Sequence, residues 1–372
     1  GICGNCGGRF PVAPPPGAGP GARIGVNCPT CGKPTEICIT GPAPPSKGKP
    51  SGPGRKRALL VGVNYTGTRV ALKGCVNDVR NIYRLLTETY RWPASSIRVL
   101  TDEEGDRSRM PTKQNIMANL RWLARGDDGP RPGDVMFFHF SGHGAQKEDP
   151  RGLEEDGMNE TILPVDFQSA GMITDDELTE MAVTPLPEYA KLTVVMDCCH
   201  SGTGLDLPFL HTSRGWKMEP NPWYHPSDVQ LFSGCEDHAT SADVSSRYGH
   251  AGGAMTTALC DVLRKYPNPS YPQLMEQLTQ VMKAKGFPQR PQLSSSQQFS
   301  FDRPFVVDDP GQNRNGTIGR VVNTKFKANP RPFAPGDPLG GLLQELGLSP
   351  PAAALAAAAV GIAQDLFRRM SR

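Results

Sequence analysis

The sequence lacks a strong charge of either sign. Its 40 Lys and Arg stand against 37 Asp and Glu, a formal net charge of +3, so composition implies no electrostatic grip on nucleic acid or an anionic membrane. No internal repeat is evident, which sets a repeat array aside. No secretory signal is visible at the start, although the first residue is Gly1 rather than Met, which leaves a removed leader open. A Leu/Ile-rich run is missing too: the uncharged stretch between Glu345 and Asp365 is mostly Ala and contains Pro350 and Pro351. It reads as an Ala-rich C-terminal helix for which membrane association is a minor alternative.

The 372 residues suffice for one large domain or two modest ones. Gly (41) and Pro (37) make up about a fifth of them, which points to ordered parts joined by open ones. The ten Cys are clustered in a long chain, a usage that fits metal or thiol chemistry in a reducing compartment better than a secreted disulfide framework. A cytoplasmic location is expected, with the nucleus as an alternative.

Residues 1–54 carry 13 Gly, 12 Pro and five of the Cys, and such a segment cannot build a core unaided. After Arg55-Lys56-Arg57 the character changes. Strands are expected at 58–63, 97–100, 135–140, 192–196, 229–233 and around Gln292, with helical stripes at 75–90, from Pro111-Thr112 onward, near Thr174, at 252–264 and at 270–284. A segment at 160–167 continues the alternation. Strands alternating with helices predict an α/β fold with a mainly parallel sheet covered on both faces. Residues 203–228 hold four Pro and show no period, and read as a long linker. The expected division is a prodomain at 1–54, a peptidase-like domain at 55–307 and an extension at 308–372.

In open parallel sheets, sites form beyond the carboxyl ends of strands. Strand 135–140 runs into Ser141-Gly142-His143-Gly144, and strand 192–196 runs into Asp197-Cys198-Cys199-His200-Ser201-Gly202. If these strands are neighbours, an imidazole and a thiol reach the same edge, where His can take a proton from Cys and later return one to a leaving amine. That is the minimal machinery of a cysteine protease, and glycines beside it leave backbone N–H groups available for an oxyanion hole. The bland reading, a structural His and a core Cys, weakens when both motifs end strands. His143 precedes Cys199 by 56 residues, near the spacing of about 50 noted for caspase-type enzymes.

Phe140-Ser141-Gly142-His143-Gly144 with Asp197-Cys198-Cys199-His200-Ser201-Gly202 resembles the type I metacaspases, caspase-like proteases of plants, algae, fungi and protists. The similarity runs from about 56 to 307 and takes in Gly62-Val63-Asn64-Tyr65, Asp175-Asp176-Glu177 and Ser233-Gly234-Cys235. The resemblance implies Cys199 as nucleophile, His143 as base and acid, and an acidic specificity pocket made by Asp78, Ser141 and Asp197. Two carboxylates in a partly desolvated pocket would select Lys or Arg before the cut in protein substrates. It also implies an activating Ca²⁺ site at Asn159, Asp175, Asp176 and Asp206, where Asn159 stands in a position usually held by Asp. Oxygen ligands from loops suit Ca²⁺, while the plain alternative is that Asp175-Asp176-Glu177 lines the first turn of a helix.

Cys3-x-x-Cys6 and Cys28-x-x-Cys31 are two thiolate pairs, a signal for a closed tetrahedral zinc site. Residues 21–31 resemble the zinc finger of plant cell-death regulators. The sequence therefore predicts a calcium-stimulated cysteine endopeptidase with a zinc-binding, Pro-rich prodomain, linked to cell death, stress response or protein quality control. Self-cleavage is expected at Arg214 or Lys217, the only Lys or Arg residues between Gly202 and Gln230. The rival is an inactive caspase-like scaffold binding protein partners through its zinc finger and Pro-rich arm.

Overall fold

The computed structural model describes residues 23–27, 33–38, 54–103, 105–149, 157–198, 204–218, 223–235, 253–287, 289–308, 319–322 and 338–346. Its centre is an eight-stranded sheet. In chain order the strands and helices that matter here are β1 (Arg23–Asn27), β2 (Pro34–Cys38), β3 (Lys56–Gly62), α1 (Cys75–Arg84), β4 (Ile97–Thr101), α2 (Lys113–Arg125), β5 (Val135–Ser141), β6 (Gly144–Glu148) and β7 (Met158–Ile162). There follow α3 (Phe167–Ala170), β8 (Ile173–Thr174), α4 (Asp175–Leu178), β9 (Lys191–Asp197), β10 (Phe209–Thr212), β11 (Gly215–Met218), β12 (Trp223–Tyr224) and β13 (Asp228–Cys235). The chain continues through α5 (Ala254–Lys265), α6 (Tyr271–Ala284), β14 (Arg290–Ser295), β15 (Gly319–Val322) and α7 (Pro338–Glu345).

The sheet order is β11-β10-β14-β13-β9-β5-β3-β4. Strands β4, β3, β5, β9 and β13 are mutually parallel, whereas β14, β10 and β11 run antiparallel. Every residue of β5 and β9 is buried, as parallel strands with helices on both faces require. Alternate side chains serve opposite layers. Leu59, Met136, Phe138, Phe140, Val194 and Met196 join Ile116, Leu120 and Leu123 of α2; Leu60, Phe137, Val195 and Phe232 pack with α1, α5 and α6. Each such side chain contributes about 1.5–3 kcal/mol on burial. Arg57 enters the core only because Asp134 meets its Nη2 at 3.0 Å and Leu123 O accepts from its Nε at 2.8 Å.

Local signals set the ends. Thr112 caps α2 by accepting from Asn115 N, and Gly126 at φ 61° closes it. Thr174 and Glu177 form a reciprocal capping box on α4, and Ser270 caps α6.

Two expectations need correction. The segment at 160–167 does not extend the main sheet: β7 belongs to a separate sheet, β6-β7-β8, antiparallel throughout. Residues 203–228 are not an unstructured linker, since β10 and β11 form a hairpin that joins the main sheet through β14. The two residues between them, Ser213 and Arg214, precede Gly215 at φ 95°. Two described parts of the expected extension contact the rest of the chain: β15 pairs with both β2 and β12, and Leu339, Leu342 and Leu343 of α7 are buried in the core cluster that contains Phe140. Among the described residues no helix is long and apolar enough to cross a membrane. The Ala-rich stretch lies outside the described residues.

Candidate active site

Strands β5 and β9 are neighbours, and their register sets Ser141 opposite Asp197. The two expected motifs therefore leave the same sheet edge side by side. Gly142 N reaches Asp197 O at 3.4 Å. A Cβ at Gly142 would lie 2.9 Å from the Phe140 ring and 3.1 Å from Tyr65 Oη, so this turn accepts only glycine without displacement.

His143 follows, 2% exposed and fixed from three sides. Its backbone N–H donates to Tyr65 Oη at 3.0 Å, the Tyr65 hydroxyl donates to Leu163 O at 2.6 Å, and Leu163 N donates back to His143 O at 3.1 Å. The Tyr65 and His143 rings lie 4.8 Å apart. Nε2 of His143 sits 2.7 Å from Val70 O. A carbonyl only accepts, so Nε2 carries a proton and Nδ1 is the basic nitrogen of the neutral ring. The loop that presents Val70 is itself held by Leu72 N to Asn64 O at 2.7 Å, and Asn64 Oδ1 accepts from Cys75 N at 3.0 Å at the start of α1.

On the other face of the edge lie Asp78 and Asp197. Asp78 is fully buried and Asp197 is 8% exposed. Asp78 Oδ2 accepts from Ser141 Oγ at 2.7 Å and from Gly253 N at 2.8 Å; Asp197 Oδ2 accepts from Thr256 N at 2.7 Å. The N-terminus of α5, with its orphan N–H groups and positive dipole end, thus covers both carboxylates. Burial pushes the Asp78 carboxyl well above the usual range, with the Asp197 charge adding to it, and burial likewise raises Asp197. Two like charges this close cannot both ionise freely. The sequence-predicted trio Asp78, Ser141 and Asp197 is therefore one cluster in the structure.

Of the two adjacent cysteines, Cys198 is 4% exposed and packs in the core cluster with Met196 and Leu205. Cys199 lies outside the described residues, as do the proposed zinc ligands Cys3, Cys6, Cys28 and Cys31. The expected calcium set occupies adjoining elements. Asn159 lies on β7, Asp175 and Asp176 open α4, and Asp206 follows β9 in a left-handed conformation at φ 50°. Glu160 N donates to Asp175 Oδ2 at 2.9 Å, which ties β7 to α4, and Asn159 Oδ1 is buried without a partner. Such an orphaned oxygen fits a cation ligand. Among the described residues, however, no three His, Cys, Asp or Glu side chains gather as a metal would need. Asp175 and Asp176 also fill the helix-lining role that the sequence offered as the plain alternative.

The model of the metacaspase peptidase C14 domain matches residues 56–208. Metacaspase-1 of Mycosarcoma maydis is 38% identical over 301 residues, covering 68% of this chain and 73% of that protein. The chain belongs to the metacaspase family. Metacaspase-1 of Kluyveromyces lactis is 37% identical over 303 residues, with 68% of this chain and 69% of that protein covered. Among solved structures, protein GSU0716 from Geobacter sulfurreducens is similar at TM-score 0.49 and 22% identity, covering 67% of this chain and 97% of that one. As a metacaspase, the chain is a caspase-like cysteine peptidase acting on proteins, and its α/β fold has a mainly parallel central sheet.

The metacaspase site contains residues that sequence reasoning missed. Tyr65 and Val70 position His143, while Gly253 and Thr256 hold the acidic pair. Cys75 lies buried beside that pair, its thiol pushed up by burial and by Asp78. Tyr65 and Cys75 had a sequence signal, since Gly62-Val63-Asn64-Tyr65 and Gly74-Cys75-Val76-Asn77-Asp78 both belong to the family pattern.

Proposed function

We propose that this metacaspase cleaves polypeptides after Lys or Arg with Cys199 as nucleophile and His143 as base and acid. The observation that carries the reading is the buried Asp78–Asp197 pair on the sheet edge that also bears His143. His143 Nδ1 takes the Cys199 thiol proton as sulfur attacks the scissile carbonyl carbon, then gives it to the departing amine. Water, deprotonated by the same nitrogen, hydrolyses the thioester and regenerates the thiol. The Val70 carbonyl holds the ring and favours the imidazolium formed in between. The acidic pair supplies two carboxylates for charge-assisted hydrogen bonds to a Lys or Arg side chain.

Calcium stimulation belongs to the same proposal. The acidic pair is covered by the start of α5, so a substrate cation needs that start to move. An ion that binds only the open arrangement would shift the population toward it. Asn159, Asp175, Asp176 and Asp206 are the proposed ligands, and the orphaned Asn159 Oδ1 supports the assignment. Self-cleavage is proposed at Arg214, exposed at the tip of the β10–β11 hairpin, where proteolysis concentrates. Lys217 is the less suited site, because it is paired with Leu210 within β11. A zinc site formed by Cys3, Cys6, Cys28 and Cys31 is proposed for the prodomain. It is supported by the antiparallel pairing of β1 with β2, which sets Asn27 opposite Pro34 at the ends of the Cys28–Cys31 segment. Cytoplasmic residence and a role in cell death, stress response or quality control extend the same reading.

Turnover of Arg, Lys and Asp reporter peptides by the full chain, with and without Ca²⁺, tests it. Calcium-dependent hydrolysis of the Arg and Lys peptides, lost in Cys199→Ala, is expected. Cleavage after Asp overturns the pocket assignment.

A further inference from the structure

Strand β4 closes one end of the main sheet, so among the described residues no strand pairs with its outer row of N–H and C=O groups. An open strand edge is a template for another strand, and proteins usually blunt it. Here a cavity of about 650 Å³ runs along that edge, lined by residues 97–100 of β4 and by residues of α1 and α2 on either side. Arg80 and Arg84 of α1, Arg98 of β4 and Arg109 of the turn before α2 line it, and among the described residues no carboxylate does. Nothing in the peptidase chemistry described above uses these arginines.

They stand on both sides of the edge. Ile97 and Val99 pack into the layer of α1, which is the side of Arg80 and Arg84. Arg98, between them in sequence, faces the other layer: its guanidinium lies 3.9 Å over the Trp122 ring of α2, and its Nη1 donates to Asn119 Oδ1 at 3.0 Å. The stacking orders the side chain, while Asn119 takes up one of the five N–H donors of its fork. The turn that bears Arg109 is tied to the same helix, since Asn115 Nδ2 donates to Arg107 O at 2.9 Å. Arg80 meets Glu103 Oε2 at 2.7 Å on the rim, both partners being exposed. Arg84 makes no side-chain hydrogen bond or ion pair among the described residues.

We propose that the outer edge of β4 is a docking site for an extended, acidic peptide segment of a protein partner, which adds to the sheet as a further strand. Side chains of an added strand alternate between the two faces, so alternate residues meet Arg80 and Arg84 while those between them meet Arg98 and Arg109. Carboxylates at consecutive positions are therefore matched by guanidinium forks, and the main chain by the free row of β4. Residues 97–100 span about 13 Å at the usual rise of a strand, room for a run of roughly four acidic residues. Nucleic acid suits the site less well, because a phosphate backbone only accepts hydrogen bonds and would set its charge against the outward C=O groups of β4. A second copy of this chain, paired β4 to β4 across a two-fold axis, would bring the two sets of arginines together.

The test uses the full chain without Ca²⁺ and a dansyl-labelled Glu-Asp-Glu-Glu-Asp-Glu peptide, which lacks Lys and Arg, with binding read by fluorescence anisotropy. Arg84→Gln and Arg98→Gln, one from each face, are each expected to raise Kd about fivefold, the scale of one exposed ion pair, and together to raise it further. Hydrolysis of an Arg reporter peptide in calcium should stay at the wild-type rate in both. Should Arg98→Gln fail to fold, Arg109→Gln takes its place. Strand pairing has a period of two, so of two peptides N-methylated at complementary alternate residues, one should lose binding and the other keep it. Absence of binding to wild type, a Kd unmoved by the substitutions, or N-methylated peptides that bind alike overturns the inference. So does a dT oligonucleotide bound as tightly as the peptide, which would mark a general anion site, or a peptide-free dimer that the peptide dissociates, which would assign the edge to a second copy.

Discussion

The backbone N–H of Gly253 donates to Asp78 Oδ2 at 2.8 Å, across 175 residues of sequence. A Cβ at that glycine would lie 2.1 Å from Asp197 Cγ, well inside contact distance. The backbone there is ordinary, at φ −71°, so glycine is required for space and not for conformation. Gly253→Ala should push Asp197 aside and reduce kcat/KM on an Arg peptide by about 100-fold, the scale expected for a misplacement near 1 Å. Pairing it with Asp197→Ala should restore Tm but not activity. Unchanged kcat/KM in the single variant would show that the covering by α5 is absent in the working enzyme.

Asp78 and Asp197 both have raised folded-state pKa values, and the sign of the stability effect follows. An acid that holds its proton more tightly when folded favours the folded state at low pH, and that advantage is lost as pH rises from about 4, the unfolded value, through the raised one. Asp78→Asn removes the ionisation while its amide oxygen can still accept from Ser141 and Gly253. Melting curves from pH 4 to 8 should show a variant that gains on wild type as pH rises, by ~3 °C at pH 8, and that has lost cleavage after Arg. A difference that shrank with rising pH would contradict the raised values.

Cys198 and Cys199 offer a cleaner separation. Cys198 packs in the core, so Cys198→Ala should lower stability by about 1 kcal/mol and keep most activity. Cys199→Ala should fold normally and lose at least ~1,000-fold in kcat, as loss of one member of a catalytic unit does. Urea melts and peptide turnover of both variants decide the assignment.

The parallel core was legible because β3, β5 and β9 are buried on both faces and read as continuous apolar runs. His143 was legible for the same reason, since its motif ends such a run, whereas Ser141 and Asp197 entered as site residues through the family resemblance. The donors that complete the site were not legible. Gly253 and Thr256 begin a helix whose start carries no side-chain cap, and no local pattern indicates that its free N–H groups are satisfied by carboxylates so distant in sequence. The β10–β11 hairpin was hidden by Pro208 and Gly215, which read as breakers. Gly215 in fact supplies the positive φ that a tight turn needs. Asp175 and Asp176 show a third kind of ambiguity, because acidic residues in a first helical turn satisfy the capping pattern whether or not a metal is ever bound.

The C-terminal segment gives the last test. Leu343 of α7 is fully buried in the same cluster as Tyr65, Val70 and Phe140, and Glu345 meets Arg69 at 2.7 Å. Val70 carries the carbonyl that holds His143, so α7 packs beside the support of the proposed catalytic base. Leu343→Ala should cost about 2–5 kcal/mol, as large-to-small changes in packed cores do. Glu345→Ala should change stability by less than ~1 kcal/mol, since both partners of that ion pair are exposed. If α7 instead merely rested on the surface, both variants would melt with wild type, and the extension would be dispensable to the peptidase core.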